Sequence, residues 1–144
     1  MTAFASERRI RFSDCDPAGI VFYPQYFVMF NGLVEDWFDG PLALGYRKLV
    51  AERRIGLPTV RVEADFKAVS RFGDAVTLSL EVERLGLRSM TLSLACAGAG
   101  EVRMQMRQVL VATSLETHRA IEIPPDVRSV VQPLVLSNTL KECQ

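Results

Sequence analysis

Alternation of apolar and polar residues dominates the second half of the chain. From Val76 to Val82 and from Met90 to Cys96, the even positions are apolar and the odd positions are mostly polar. The segment 60–66 has the same period. A period of two residues is typical of antiparallel strands with one buried face, and glycine-containing turns separate these segments. The pattern predicts consecutive antiparallel strands, each burying its apolar face.

Two further strands are predicted from weaker patterns. Residues 5–12 alternate and end in apolar side chains, which predicts a first strand. Residues 101–115 predict a longer strand, in which the apolar positions shift from even to odd around Gln108. Such a shift indicates a β-bulge or burial on both faces of the strand.

The segment between the first strand and the sheet has a helical period. From Pro24 to about Asp39, apolar residues recur every three or four positions around more than half of the helix circumference, and Gly40 and Pro41 then end the helix. Residues 42–54 predict a shorter amphipathic helix with a solvated basic face: Arg47, Lys48, Arg53 and Arg54. A short helical turn is predicted after Pro124 and Pro125.

The order of these elements predicts an α+β fold, in which an antiparallel sheet wraps around one long apolar helix. A chain of 144 residues has the length of one domain. We assign residues 1–132 to that domain and expect residues 133–144 to form a frayed C-terminal tail.

Charge and cysteine content narrow the function classes. Seventeen basic residues balance seventeen acidic residues, so no global field attracts nucleic acid or an anionic membrane, and no apolar run approaches the length of a membrane span. The three cysteines, Cys15, Cys96 and Cys143, are odd in number and widely spaced. Free thiols of this kind are typical of a reducing compartment, which predicts a cytoplasmic protein.

Several kinds of site are disfavoured because their residues are missing. The chain has one histidine, His118, no CxxC pair and no phosphate-binding glycine motif, so we expect no metal site and no nucleotide loop. A catalytic thiol at Cys15 would need His118 beside it, and nothing near Cys15 in the sequence supports that arrangement. Of the kinds of catalysis considered, one based on a carboxylate side chain is the one that remains.

The stretch SDCDPAGIVFYPQY, residues 13–26, carries the strongest candidate, Asp16. Pro24 suits the first turn of the following helix, which leaves the N–H of Tyr23 free to polarise a bound carbonyl at the positive end of the helix dipole. A carboxylate beside such a donor is suited to acyl transfer or hydrolysis. The same residues also fit a plainer role, since Asp14 and Asp16 are favoured in turns and caps.

The motif DCDPAGIVFYPQYF closely resembles that of the 4-hydroxybenzoyl-CoA thioesterase family, which reads DCDPAGIVWYPNY in its aromatic acyl-CoA members. The resemblance covers residues 8–126 and implies a hot-dog fold that pairs into dimers and commonly into tetramers. It implies that Asp16 attacks the thioester carbonyl or activates a water, and that the backbone N–H of Tyr23 polarises the carbonyl. It also implies that no metal or redox cofactor is needed and that coenzyme A enters as part of the substrate.

The resemblance also suggests positions that bind the substrate. Phe22 and Phe27 make an apolar wall that favours an aromatic or medium-length acyl group. By this resemblance, Asn31 falls at the position where the hydroxybenzoyl enzyme has an aspartate that binds the ring hydroxyl. The amide of Asn31 can still form hydrogen bonds, but it weakens the case for 4-hydroxybenzoate as the acyl group. The alternative that Asn31 is an ordinary surface or capping residue also stays open.

The predicted turn RLGLRSM resembles a basic stretch that contacts coenzyme A phosphates in relatives. Arg88 and Ser89 match that stretch, whereas Gly86 and Leu87 replace its other basic residues. Two roles stay open for Arg88: it contacts a phosphate of coenzyme A, or it is a solvated arginine in a turn.

The leading hypothesis is therefore an acyl-CoA thioesterase acting on a benzoyl- or hydroxybenzoyl-like thioester. Two alternatives are a short-chain aliphatic acyl-CoA thioesterase and a non-catalytic acyl-CoA-binding module. A hot-dog dehydratase is disfavoured because no histidine lies near the motif. A single sheet around one helix leaves open edges, so we also predict a homo-oligomer. The resemblance implies a dimer or a tetramer of dimers, with active sites at the dimer interface.

Overall fold

The computed structural model of the protein describes residues 2–136. Nine helices and strands, named here in chain order, carry this part of the chain. They are β1 (Phe4–Arg9), α1 (Pro24–Asp39), β2 (Ile55–Gly56), β3 (Thr59–Phe66), β4 (Ala75–Leu85), β5 (Ser89–Gly98), β6 (Glu101–Val111), β7 (Thr113–Ser114) and α2 (Pro125–Val131). Short 3-10 helices at Phe12–Asp14 and Gln132–Leu134 and a π-helical turn at Lys48–Glu52 complete it.

Five of the strands form one antiparallel sheet in the order β1-β4-β5-β6-β3, and β2 pairs with β7 in a separate ribbon. All four pairings in the main sheet are antiparallel, as the alternation predicted. The two ends of this sheet matter for the site. We call the end with Arg9, Phe66 and Ala75 the motif end, and the end with Thr59 and Leu85 the turn end.

Helix α1 packs its apolar side against the sheet and forms the centre of the core. It runs from Pro24 to Asp39, as the sequence predicted, and its largest side chain, Trp37, is fully buried. Burial of each large apolar side chain stabilises the fold by about 1.5–3 kcal/mol. The even-numbered faces of β4 and β5 are buried against this helix, which confirms the predicted α+β arrangement.

Strand β3 departs from the expectation of one buried face. It lies at the edge of the sheet, and its apolar residues Val60, Val62 and Phe66 are 61%, 40% and 50% exposed. An edge strand pairs on one side alone, and α1 does not cover this part of the sheet. The prediction that β3 buries its apolar face is therefore wrong for the residues that the structure describes.

The predicted helix over 42–54 is also too long. Residues 42–45 form turns, with Ala43 and Gly45 at positive φ, and the helical part ends in the π-helical turn at Lys48–Glu52. Glycine adopts a positive φ without strain, and a residue with a positive φ interrupts a regular helix. The basic side chains of this segment are exposed, as expected.

The predicted change of face at Gln108 does not occur in β6. Burial stays on the even positions from Met104 to Leu110, and Gln108 itself is buried. One register shift does lie next to Gln108, where Thr59 and Arg61 of β3 pair with Leu110 and Val109. A second lies earlier in β6, where Cys96 pairs with Met104 but Ala97 pairs with Val102. Arg103 is thus the extra residue of a β-bulge, and the predicted strand ends at Val111 rather than at residue 115.

The C-terminal segment stays against the sheet as far as the structure describes it. Val135 forms a parallel bridge with Val82, and the N–H of Leu136 donates to the carbonyl oxygen of Val82 over 2.9 Å. Most of the predicted tail, residues 137–144, lies outside the described residues.

Candidate active site

Residues 14–22, called here the motif hairpin, fold back on themselves just before α1. The N–H of Phe22 donates to the carbonyl of Asp14 over 3.0 Å, and the N–H of Asp16 donates to that of Ile20 over 3.0 Å. Gly19 allows this tight return because its φ is +78°. The hairpin therefore sets Asp14 beside Phe22, just before α1, and places Asp16 two residues further toward its tip, opposite Ile20.

Buried polar contacts anchor the base of the motif hairpin. The Asp14 carboxylate is 8% exposed and accepts hydrogen bonds from the Arg8 guanidinium and the Arg11 N–H, each over 2.8 Å. This is the capping role that the sequence left open for Asp14. Asp14 is therefore occupied in holding the loop, which leaves Asp16 as the carboxylate available for chemistry.

Asp16 is half-buried and has one of its carboxylate oxygens engaged. Its Oδ1 accepts a hydrogen bond from the N–H of Ala18 over 2.8 Å, so the side chain forms an Asx turn. Among the described residues, its Oδ2 has no hydrogen-bond donor. The turn fixes the orientation of the carboxylate and leaves one oxygen available.

The N–H of Tyr23 is an available donor at the start of α1. The N–H groups on either side of it are used, since Phe22 donates to Asp14 and Gln25 donates to Phe22 over 2.8 Å. Pro24 has no N–H. Within residues 2–136, the N–H of Tyr23 has no acceptor, and it lies at the positive end of the helix dipole.

Exposed aromatic rings surround this donor. The ring centroids of Phe22 and Tyr23 lie 5.6 Å apart, and those of Tyr23 and Phe66 lie 5.9 Å apart, both edge-on. Phe22 is 48% exposed and Tyr23 is 58% exposed. Phe27, the other predicted wall residue, is half-buried against the core.

Asn31 lies two helical turns beyond Phe22 and Tyr23, at a different cavity. That cavity has a volume of about 370 Å³, and its lining includes Asn31, Tyr46, Thr59 and Gln108. Gln108 donates through Nε2 to the Thr59 hydroxyl over 2.7 Å, while its buried Oε1 has no partner among the described residues. The cavity offers both a polar end and apolar walls.

Arg88 and Ser89 lie at the turn end of the sheet, whereas Asp16 lies at its motif end. Strand β4 connects the two ends, and its 11 residues span about 33 Å at 3.3 Å per residue. Arg88 is exposed, and the carbonyls of its turn are held by Arg128, whose Nη2 donates to Gly86 over 2.6 Å. One chain therefore does not bring Arg88 close to its own Asp16.

A buried arginine near the motif end was not identified from the sequence. The Arg103 side chain is 8% exposed and forms an ion pair with Asp74 over 2.8 Å. One signal in the sequence could have indicated it: a basic residue directly before the apolar positions Met104 and Met106, in a strand that otherwise alternates.

The thiols that the structure describes are poor nucleophiles. Burial raises the pKa of Cys96 to about 11. Partial burial, and then the neighbouring Asp14 and Asp16 carboxylates, raise the pKa of Cys15. Residues 2–136 contain no group of three or more His, Cys, Asp or Glu side chains that could hold a metal ion, and no helix among them is long and apolar enough to cross a membrane.

Comparison with known proteins identifies the family. Residues 10–131 match the Thioesterase-like superfamily. The chain is 32% identical over 129 residues to the 4-hydroxybenzoyl-CoA thioesterase of Pseudomonas sp. (strain CBS-3), covering 83% of this chain and 91% of that protein. It is 30% identical over 127 residues to a 1,4-dihydroxy-2-naphthoyl-CoA hydrolase of Synechococcus sp. (strain CC9311), covering 81% and 75%.

Solved structures share the same fold. A thioesterase superfamily protein from Jannaschia sp. CCS1 superposes with a TM-score of 0.85 at 23% identity, covering 94% of each chain. A gentisyl-coenzyme A thioesterase superposes with a TM-score of 0.78 at 26% identity, covering 88% of this chain and 98% of that one. The chain belongs to the thioesterase-like superfamily, and its hot-dog fold and its class, a thioester hydrolase, are confirmed.

Proposed function

We propose that this protein hydrolyses an aromatic acyl-CoA thioester to the free acid and coenzyme A, with Asp16 and the Tyr23 N–H as its catalytic groups. The observation that carries the proposal is the available N–H of Tyr23, at the start of α1 and beside the hairpin that holds Asp16. The relatives named for 4-hydroxybenzoyl-, 1,4-dihydroxy-2-naphthoyl- and gentisyl-CoA support an aromatic acyl group.

The Tyr23 N–H donates to the thioester oxygen, and this hydrogen bond strengthens as negative charge develops there. In one route, an Asp16 oxygen attacks the carbonyl carbon, the C–S bond breaks, and coenzyme A leaves as a thiolate that takes a proton. Water then hydrolyses the mixed anhydride and regenerates Asp16. In the other route, Asp16 takes a proton from a water whose oxygen attacks the same carbon. The C–S bond then breaks, and the coenzyme A thiolate takes up that proton, which regenerates the Asp16 carboxylate. Both routes give the same products.

The acyl group extends from Tyr23 along α1. Phe22 and Phe27 supply apolar surface near the carbonyl, and Asn31 lies eight residues from Tyr23, about 12 Å along the helix at 1.5 Å per residue. We propose that Asn31 hydrogen-bonds a polar substituent at the far end of the acyl group. A neutral amide can donate to or accept from such a substituent.

The coenzyme A end of the substrate requires a second copy of the chain. Arg88 and Ser89 lie about 33 Å along β4 from the motif end of their own sheet. Antiparallel pairing of two β3 edges sets the motif end of one sheet beside the turn end of the other. We propose that Arg88 and Ser89 of one copy contact the phosphates of a thioester held at Asp16 of the other.

The exposed apolar residues of β3 support this association. Val60, Val62 and Phe66 lie on a strand whose outer edge has no partner among the described residues, and edge pairing would cover them. We propose a homodimer, or a tetramer of two such dimers, located in the cytoplasm, where free Cys15 and Cys96 stay reduced.

A panel of CoA thioesters tests the proposed reaction. Thiol release is measured for benzoyl, 4-hydroxybenzoyl, aminobenzoyl, phenylacetyl, and short and long aliphatic acyl-CoA. We expect the highest kcat/KM for an aryl thioester. Preference for a short aliphatic acyl group would support the alternative substrate class. Absence of turnover across the panel would leave the acyl-CoA-binding module as the better account.

A further inference from the structure

Arg103 has an unusual position for a charged residue. It is 7% exposed and lies in the bulge of β6, between residues that pair regularly with β5. A β-bulge redirects one side chain and is over-represented next to active sites. A buried guanidinium must be offset by several good contacts, and those of Arg103 lie at the motif end of the sheet.

The guanidinium of Arg103 forms hydrogen bonds with the loop that joins β3 to β4. This loop, residues 67–74, is called here the clamp loop. Its Nη1 donates to the carbonyl of Val69 over 3.1 Å, to the Ser70 hydroxyl over 3.4 Å and to the Asp74 carboxylate over 2.8 Å. Its Nη2 donates to the carbonyl of Gly98 over 3.2 Å. The backbone carbonyl of Arg103 also accepts from the N–H groups of residues 67 and 68. Most of the clamp loop therefore depends on this residue.

The clamp loop in turn holds the motif hairpin. The N–H of Val21 donates to the carbonyl of Ser70, and the N–H of Phe72 donates to the carbonyl of Gly19, each over 2.9 Å. Ile20 forms an antiparallel bridge with Arg71. The clamp loop thus acts as a third strand beside the returning arm of the hairpin, opposite the arm that carries Asp16.

The same loop is bonded to the first turn of α1. The hydroxyl of Tyr26 donates to the Ser70 hydroxyl over 2.9 Å in a buried contact. Ser70 therefore connects Arg103 to the helix that presents the Tyr23 N–H, and its carbonyl connects Arg103 to the hairpin that presents Asp16. The two proposed catalytic groups share one buried support.

We propose that Arg103 is a positioning residue for thioester hydrolysis, which fixes Asp16 relative to the Tyr23 N–H through Ser70 and the clamp loop. This inference rests on the proposed function. Arg103 touches neither group, so its loss changes their relative position rather than their chemistry. A misplacement of about 1 Å can lower a rate by roughly 10²-fold.

The test compares Arg103→Met and Arg103→Lys with Arg107→Met. Arg107 is a matched control because it lies on the same strand and pairs with a carboxylate, Glu83, over 2.8 Å, but is exposed. We expect Arg103→Met to lower kcat by roughly 10²-fold with little change in KM. Arg103→Lys should recover part of that loss, since lysine keeps the charge beside Asp74 but lacks the fork that bonds several oxygens. Arg107→Met should keep the wild-type kcat.

Amide hydrogen exchange without substrate provides a readout that does not depend on activity. In Arg103→Met, the amides of Val21 and Phe72 should exchange faster, while amides in the middle of β5 stay protected. If Arg103→Met does not fold, Ser70→Ala carries the same expectations, because it removes the bond to Tyr26 and the hydroxyl contact with Arg103. Unchanged exchange at both amides, or an unchanged kcat in a less stable protein, would overturn the inference. A wild-type protein without turnover but with the expected exchange would refute the proposed function and leave the loop support intact.

Discussion

The ring of Tyr23 lies edge-on to the ring of Phe66, with 5.9 Å between their centroids. This contact joins the first residue before α1 to the last residue of the edge strand β3. The proposed carbonyl donor is therefore next to the part of the sheet that no described residue covers. The catalytic site and the association of two copies are coupled in this account.

Substitution of Val62 tests the association surface. Val62 is 40% exposed on β3, and a glutamate there would bring like charges together when two edges pair. We expect Val62→Glu to shift the protein toward the monomer in sedimentation velocity and to lower turnover with it. Val102→Glu is the matched control, since Val102 is 37% exposed on β6, away from the edge. A Val62→Glu protein that keeps the wild-type mass would contradict the edge pairing.

Mixed oligomers test whether one site draws on two copies. Asp16→Asn and Arg88→Ala should each be nearly inactive at low substrate concentration when prepared alone. After the two are mixed and allowed to exchange subunits, a mixed dimer contains one site with both residues intact. Statistical pairing makes about half of the dimers mixed, and each mixed dimer has one intact site out of two. We therefore expect activity to rise toward about a quarter of the wild-type value. No gain on mixing would contradict the assignment of Arg88 to the site that holds Asp16 of the other copy.

The stability of the protein should fall at acidic pH in part through Asp74. Hydrogen bonds from the Arg71 N–H and then from the Arg103 guanidinium lower the pKa of Asp74. A carboxyl with a lowered pKa in the folded state stabilises that state above its unfolded pKa, about 3.9, and the contribution is lost as pH falls through the folded value. We expect Asp74→Asn to flatten this part of the dependence of unfolding free energy on pH, as measured by urea titration. An unchanged slope would show that the carboxylate contributes little.

The thiol of Cys15 should be dispensable for turnover. Partial burial and the adjacent carboxylates raise its pKa, so it stays protonated near neutral pH. We expect Cys15→Ser to keep most of the wild-type kcat and iodoacetamide to modify Cys15 slowly. Loss of turnover in Cys15→Ser, with the fold preserved by circular dichroism, would instead favour a thiol nucleophile.

Local sequence patterns are sufficient to predict the main helices and strands but not the way in which these pack together. The bounds of α1 could be predicted because Pro24 and Gly40 mark its two ends, and the strands follow from alternation over β4 and β5. The exposure of β3 could not be predicted, because alternation describes which face is apolar and does not say what covers it. The apolar spacing of residues 42–45 predicts a helix, but the positive φ of Ala43 and Gly45 is not encoded in that spacing.

The candidate site was predictable in one part and not in another. The motif brings Asp16 and Tyr23 forward as candidates because they are close in sequence and belong to one loop. The separation of Arg88 from Asp16 depends on the path of β4 across the sheet, which no short motif encodes. Arg103 was missed because its contacts come from residues 69–74 and 98, and a bulge that depends on strand pairing directs it inward.

The most direct test of the central claim is turnover by Asp16→Asn on the best aryl thioester of the panel, with Glu122→Gln as a control for an exposed carboxylate elsewhere. Asparagine keeps the size of the side chain but can neither attack the carbonyl nor accept a proton from water at neutral pH. We expect kcat to fall by at least about 10²-fold, while a non-hydrolysable thioether analogue binds with wild-type affinity in calorimetry. Turnover by Asp16→Asn at the wild-type rate would contradict the account, because the reaction would then proceed without the carboxylate.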